Sequence, residues 1–289
     1  MKHARFFAFD ILKTLARILP ESLAWRLKPK LRSLAQSIVK PCPSRIQSVT
    51  DGFKMNLDPA EKIPSHIAFE GMYEPGLRNL IKKTLHPGDH FLDIGSNIGY
   101  FSCLARSIVG PTGKVSVLEA NPSMATQVKE NLELNGWADS VDIHEIAAWN
   151  KEETLTFNLA PIGKSGMGSV RDLSEINKSI EVEALPLDQI FSSDNKKISA
   201  IKIDVEGAET QVIEGAKKVI QRDKPVIFIE LSDQYLKQLG SSADQLLGKL
   251  IKGLSYKVHK YDNSGNVSSF NPRGSSFQEN LVCYPSNVK

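Results

Sequence analysis

Along this chain, apolar residues first recur at helical spacing and then switch to short apolar runs separated by helical segments. Phe7, Ile11, Leu15, Ile18 and Leu19 share one helical period with Lys13 and Arg17 on the other side, which predicts a basic amphipathic helix ended by Pro20. Leu23, Leu27, Leu31, Leu34 and Ile38 keep the same period, and Pro29 should break or kink that second helix. Residues 41–43 read as a linker, and Asp51-Gly52 opens a short strand over 53–57. Leu77, Leu80, Ile81 and Leu85 then predict a helix that stops at His86-Pro87-Gly88-Asp89.

From there the alternation is regular. Phe91-Leu92-Asp93-Ile94-Gly95-Ser96-Asn97-Ile98-Gly99-Tyr100-Phe101-Ser102 reads as a buried strand, a tight glycine turn and the opening of a helix. Residues 114–118 form a strand ending at Glu119, Asn121-Pro122 caps the next helix with Gly136 after its end, and 141–147 is a third strand. A strand at 198–204, a helix at 209–220 and a strand at 226–231 continue the series. Strands separated by helices of this length form βαβ units, hence a parallel sheet with helices on both faces.

Residues 150–190 depart from the alternation: strands at 154–159 and 180–185 flank the glycine- and serine-rich 163–169, an insertion over the top of the sheet. Ser242-Ala243-Asp244-Gln245 resembles a capping box. The final strands, 256–261 and 281–284, are joined by a polar segment, 262–278, too long for a tight hairpin.

Composition adds a boundary. A chain of 289 residues, 41% hydrophobic, can bury one large α/β core with an appendage. The net charge of +3 hides ten Lys or Arg against two acids in residues 1–50, so the rest is net acidic. The expected organisation is a basic helical extension and linker over 1–50 and a main domain over 51–289. Basic amphipathic helices can lie on anionic membranes, which makes peripheral membrane contact through 1–40 one reading; packing against the main domain or a second subunit, in a homo-oligomer, is the other.

No apolar run is long enough to span a bilayer, and Asp10, Lys13 and Arg17 interrupt the only stretch resembling a signal peptide, so a cytoplasmic protein is expected. Cys42, Cys103 and Cys283 show no CxxC pairing and read as reduced thiols, Cys103 as a small buried hydrophobe. The net-acidic main portion lacks aromatic–basic interleaving, which argues against a nucleic-acid substrate.

The glycine turn carries the chemistry. In a doubly wound sheet, ligands bind at the carboxyl ends of the strands, and a helix N-terminus behind a glycine turn favours negative charge. That much suits NAD, a nucleotide or S-adenosylmethionine. The pattern here is not GxGxxG: Gly95 and Gly99 lie four apart, with Asp93 two residues before the first. A carboxylate at Asp93 would repel a pyrophosphate but suit the ammonium of a methionine moiety, while Glu119 is placed for two ribose hydroxyls. The combination favours S-adenosylmethionine.

Several segments make the chain resemble a class I S-adenosylmethionine-dependent methyltransferase, specifically one of the FkbM family. They are Tyr73-Glu74-Pro75, the turn from Asp93 to Ser102, Glu119-Ala120-Asn121-Pro122, Ala147-Ala148-Trp149, Ile201-Lys202-Ile203-Asp204-Val205-Glu206-Gly207-Ala208-Glu209, Phe228-Ile229-Glu230-Leu231 and Asn280-Leu281-Val282. The resemblance implies a Rossmann-like α/β fold: a seven-stranded, mostly parallel sheet with an antiparallel last strand, plus the N-terminal helices. It implies S-adenosyl-L-methionine as cofactor, with Glu74, Asp93, Gly95, Asn97, Gly99, Glu119, Asn121 and Ala147 as candidate contacts. Ala147 occupies the position where many class I enzymes carry an Asp for the adenine amine, with Trp149 a packing partner.

Asp204 is the first candidate for base or acceptor-orienting group, followed by Glu206 and Glu230. Glu206 and Glu209 equally suit a helix N-terminus, and Lys202 a buried partner of an acid. Asp204, Glu206 and Glu209 have the oxygen chemistry of a divalent-metal site, but no obvious third strand contributes to the cluster, and no metal is expected. The expected reaction is O-methylation of a small-molecule or glycan acceptor: a sugar, glycolipid or secondary metabolite. The alternative is a non-catalytic cofactor-binding or membrane-associated scaffold of a biosynthetic complex, with a nicotinamide dehydrogenase more distant.

Overall fold

The computed structural model describes residues 2–40, 42–160, 168–171, 178–270 and 278–286. The chain forms two compact units whose boundary falls between Tyr73 and Glu74, later than the change in charge near residue 50.

The first unit begins with α1 (Lys2–Ile18) and α2 (Glu21–Val39), which pack along each other. A two-stranded antiparallel sheet, β1 (Arg45–Ser48) and β2 (Lys54–Leu57), and α3 (Lys62–Glu70) complete it. The expected break at Pro29 does not occur, since α2 is continuous through it. A proline costs one ladder bond there, which the packing of α2 along α1 offsets. Phe9 is buried with its ring edge-on to Phe69, centroids 5.8 Å apart.

The second unit opens with α4 (Pro75–Thr84) and then builds the expected alternation: β3 (His90–Ile94), α5 (Tyr100–Val109), β4 (Lys114–Leu118), α6 (Pro122–Glu133) and β5 (Asp142–His144). After the inserted strands β6 (Ala147–Ala148), β7 (Glu153–Leu159) and β8 (Lys178–Leu185) come α7 (Leu187–Ile190), β9 (Ala200–Ile203), α8 (Glu209–Gly215), α9 (Lys217–Asp223) and β10 (Val226–Ser232). The unit closes with α10 (Asp233–Gln238), α11 (Ala243–Gly248), β11 (Tyr256–Tyr261), β12 (Val267–Ser269) and β13 (Gln278–Pro285).

The main sheet has the order β12-β11-β13-β10-β9-β3-β4-β5. Strands β10, β9, β3, β4 and β5 are parallel, and β13 inserts antiparallel between β10 and β11. This is the expected seven-stranded arrangement, extended by the short edge strand β12. Strand order reverses between β3 and β9, so the crevice for a ligand lies at their carboxyl ends. The central strands are mostly apolar, as burial on both faces requires; β3 and β9 are buried at every position, with Asp93 and Lys202 as charges inside them.

Three local outcomes differ from the sequence pattern. The third strand divides: β5 ends at His144, and Ala147 joins a separate sheet of order β6-β8-β7, paired with Ala184. Ile146 packs in the main core while Ala147 packs with Phe157, Val182 and Ala184, so the chain changes layer between them. The polar segment 262–278 contains β12, because Asp262 accepts from the backbone N–H groups of Ser264 and Asn266 and tightens the β11–β12 turn. Its residues 271–277, and residues 161–167 and 172–177 of the insertion, lie outside the described residues.

The single helix expected at 209–220 is two, interrupted at Ala216. Beside the break Gly215 approaches Trp149 so closely that a Cβ there would fall on the Trp149 carbonyl oxygen. Gly215→Ala is accordingly expected to lower the unfolding free energy by about 1–3 kcal/mol, measured by urea titration; an unchanged midpoint would refute this close approach.

Candidate active site

Register brings the site together. In the β3–β9 pairing Asp93 lies beside Lys202, and in the β9–β10 pairing Ile203 lies beside Ile229, which sets Asp204, just past the end of β9, next to Glu230 of β10. Strand alternation then puts Lys202 and Asp204 on one face. Lys202 is the hub. Its ammonium is 3.5 Å from Asp93 Oδ1 and 3.4 Å from Asp204 Oδ2, and it donates to the Gly95 carbonyl at 2.9 Å. Burial opposes this charge, but Asp204, Asp93 and Glu74 more than offset it and hold the pKa above the ordinary lysine value.

The glycine turn is shaped by the protein around it. Gly95 has φ +72°, and a Cβ there would meet the Asp204 carbonyl oxygen, so the turn presses directly against the end of β9. Gly99, at φ +79°, caps α5 against Val128 of α6. Asn97 is also left-handed, at φ +56°, and its Oδ1 accepts from the Ile98 N–H. Asp93 is fully buried and accepts from the Ser102 hydroxyl at 2.6 Å. Asp93 Oδ1 and the buried Ser96 Oγ make no hydrogen bond within the described residues.

Glu119 is held from both sides: Oε2 accepts from the Asn97 N–H at 2.8 Å and Oε1 from the Asn121 N–H at 2.9 Å. Burial pushes its pKa up to about 7, against those two hydrogen bonds. Asn121 also caps α6 through its side chain, accepting from the Ser123 N–H at 3.0 Å. Ala147 sits in β6, outside the main sheet, in a cluster that also packs against Ala120 and Trp149. The Trp149 indole donates to Glu153 at 2.6 Å.

The acids form the other wall. Glu230 accepts from Gln278 at 2.6 Å, and its pKa rises to about 7 through burial and then the charge of Asp204. Glu206, left-handed at φ +54°, is pushed up to about 8 by burial, then by Asp204 and Glu230. Glu74 opens α4 in a left-handed conformation, and its charge is felt by Lys202 and by the half-buried Tyr261, whose hydroxyl pKa desolvation raises. Glu209 is different. It accepts from the Gly207 N–H at 3.0 Å and so braces the loop, in keeping with a helix-start role. Among the described residues no group of three or more His, Cys, Asp or Glu could hold a metal ion.

Two residues emerge only in the structure. Arg171, nearly fully buried, lies 3.7 Å over the Tyr235 ring, donates to Gln238 Oε1 at 2.7 Å and to the Glu206 carbonyl, and has the Glu206 carboxylate at 3.4 Å. It pins the strained Glu206. Its sequence neighbourhood has no periodicity to flag it, and Tyr261 was legible only as the end of a strand. Cys103 is buried, with its thiol pKa pushed up, so it is no nucleophile at neutral pH.

The site thus sets a carboxylate beside a strand-end glycine turn, a second at the next strand end and further acids opposite. Residues 93–262 match the methyltransferase FkbM domain. The chain belongs to the FkbM methyltransferase family. The cofactor of such methyltransferases is S-adenosylmethionine.

The FkbM chain is 27% identical over 238 residues to the 2-O-methyltransferase NoeI of Sinorhizobium fredii, a match covering 76% of this chain and 83% of NoeI. It is 39% identical over 57 residues to a protein-L-isoaspartate O-methyltransferase of Aeropyrum pernix, covering 20% of this chain and only 22% of that protein. The crystal structure of methyltransferase FkbM from Methylobacillus flagellatus aligns with a TM-score of 0.44 at 13% identity, covering 97% of this chain and 59% of that one.

Proposed function

We propose that this FkbM protein transfers a methyl group from S-adenosylmethionine to a hydroxyl of a sugar, glycolipid or secondary metabolite. The observation that carries the reading is the juxtaposition, at the switch point of the sheet, of the glycine turn with Asp204 and Glu230 on the next two strands. The residues fit the cofactor. Asp93 Oδ1 and Ser96 Oγ are buried oxygens without a hydrogen bond, suited to the amino-acid end. Each Glu119 oxygen accepts one N–H and keeps a second lone pair, suited to a ribose hydroxyl.

When bound, the cofactor supplies a methyl on an excellent leaving group, so the protein's task is to position and deprotonate the acceptor. Asp204, with Glu230 and Glu206, orients the hydroxyl and takes its proton as the oxygen attacks. Lys202 keeps Asp204 and Asp93 in place and balances their charge. Glu74 and Tyr261 extend the wall on which the acceptor would lie. That the named relative NoeI is a 2-O-methyltransferase supports a hydroxyl acceptor.

Calorimetric titration of the full chain with S-adenosylhomocysteine should show one site, and absence of binding would overturn the reading. Glu119→Ala should weaken that binding by about tenfold to a hundredfold, the loss of one or two charge-assisted hydrogen bonds. Labelled methyl incorporation into a small-molecule extract of a strain lacking the protein identifies the acceptor, whose unmethylated form should accumulate there.

A further inference from the structure

Helix α1 is apolar on two opposite faces. Its inner face is accounted for within the first unit: Phe9 and Ala16 are buried, Phe9 meets Phe69, and Lys13 donates to the Ala68 carbonyl at 2.6 Å. At the edge, Asp10 takes both guanidinium nitrogens of Arg45. On the other side Phe7, Ile11, Leu15 and Ile18 form a line along the helix and are 68%, 45%, 45% and 71% exposed. On α2, Leu23 and Leu34 are exposed as well. Singly exposed leucines are ordinary, but four large apolar side chains on one outward stripe are not.

The charges nearby restrict what covers that stripe. Arg17, Arg26, Lys30 and Lys40 are exposed. Residues 1–50 carry ten basic residues against two acids. A second copy would oppose like charge to like, whereas an anionic lipid surface supplies both an apolar layer for the stripe and the counter-charge for its flanks. No described helix is long and apolar enough to cross a membrane, which leaves an in-plane orientation.

We infer that the α1–α2 hairpin docks the chain on an anionic lipid surface, with Phe7, Ile11, Leu15 and Ile18 entering the acyl boundary. The test is flotation of the full chain with vesicles of phosphatidylcholine alone or with added phosphatidylglycerol. The protein should float with the second and not the first, and added salt should reduce the bound fraction. Phe7→Glu with Ile18→Glu should reduce binding about tenfold or more, with thermal midpoint and S-adenosylhomocysteine affinity unchanged because both side chains are exposed. Arg26→Glu with Lys30→Glu should weaken binding and its salt dependence together.

Failure to float with phosphatidylglycerol vesicles overturns the inference, as does wild-type flotation by the Phe7→Glu, Ile18→Glu variant. A dimer by light scattering that the same variant splits, without vesicle binding, would assign the stripe to a second copy and equally overturn it.

Discussion

Lys202→Met is expected to lower the unfolding free energy of the FkbM protein by about 3–5 kcal/mol. The residue is almost wholly buried in the middle of β9, with two carboxylates and a backbone carbonyl around its ammonium. Methionine nearly matches the volume, so the loss is electrostatic: Asp93 would remain fully buried with only the Ser102 hydroxyl on its charge. Breaking a buried pair costs more than the pair itself contributes, because the remaining ion keeps its desolvation penalty.

Two companion measurements isolate this cause. Lys202→Met combined with Asp93→Asn should recover part of the loss, since the uncompensated charge is gone; a double-mutant cycle on urea unfolding reads the coupling. Because the cluster shares its atoms with the glycine turn, S-adenosylhomocysteine affinity should fall in the single variant as well. A destabilisation under about 1 kcal/mol would mean that water or backbone dipoles, not Lys202, compensate Asp93.

The residues that build the site differ in how far sequence reveals them, and chain distance is the reason. Asp93, Gly95, Gly99, Glu119 and Asn121 lie within about thirty residues, and their roles follow from local rules: positive φ at the turn, a cap at a helix start, an acid at a strand end. Lys202 and Glu230 could be named as charges at strand ends, but that Lys202 faces Asp93 depends on β9 pairing with β3, about a hundred residues earlier in the chain, as well as with β10. Arg171 has no local signature at all; only the folded insertion sets it against Glu206, Tyr235 and Gln238.

The strand at 141–147 illustrates the converse. Its pattern carries no break between Ile146 and Ala147, so pattern alone cannot report that the two serve different cores. Gly215 falls inside the single helix that the pattern predicts over 209–220, and only the fold sets the Trp149 carbonyl against it. Positions that depend on one distant backbone atom leave no periodic trace.

Asp204→Asn is expected to reduce methyl transfer by about 10²- to 10⁴-fold, the usual contribution of a positioned base, with S-adenosylhomocysteine binding retained. Its second signature is in pH dependence. In the wild type, burial and then the Asp204 charge raise Glu230 to about 7, and burial, Asp204 and Glu230 raise Glu206 to about 8. A proton acceptor must be ionised, so if either acid shares the base role the rate should rise with pH through about 7 to 8. Removing the Asp204 charge lowers both pKa values, and the residual rate should rise at lower pH.

Stability reports the same linkage independently of catalysis. Acids whose pKa is raised in the folded state bind more protons folded than unfolded, so stability is full below the ordinary carboxylate pKa and falls as pH rises through the raised values. In the Asn variant that fall between about pH 5 and 8 should flatten, which a misfolded variant would not produce. Methyl transfer within about tenfold of wild type, or an unshifted pH profile, would remove Asp204 from the chemistry and leave Glu206 and Glu230 as a pair that titrates without it.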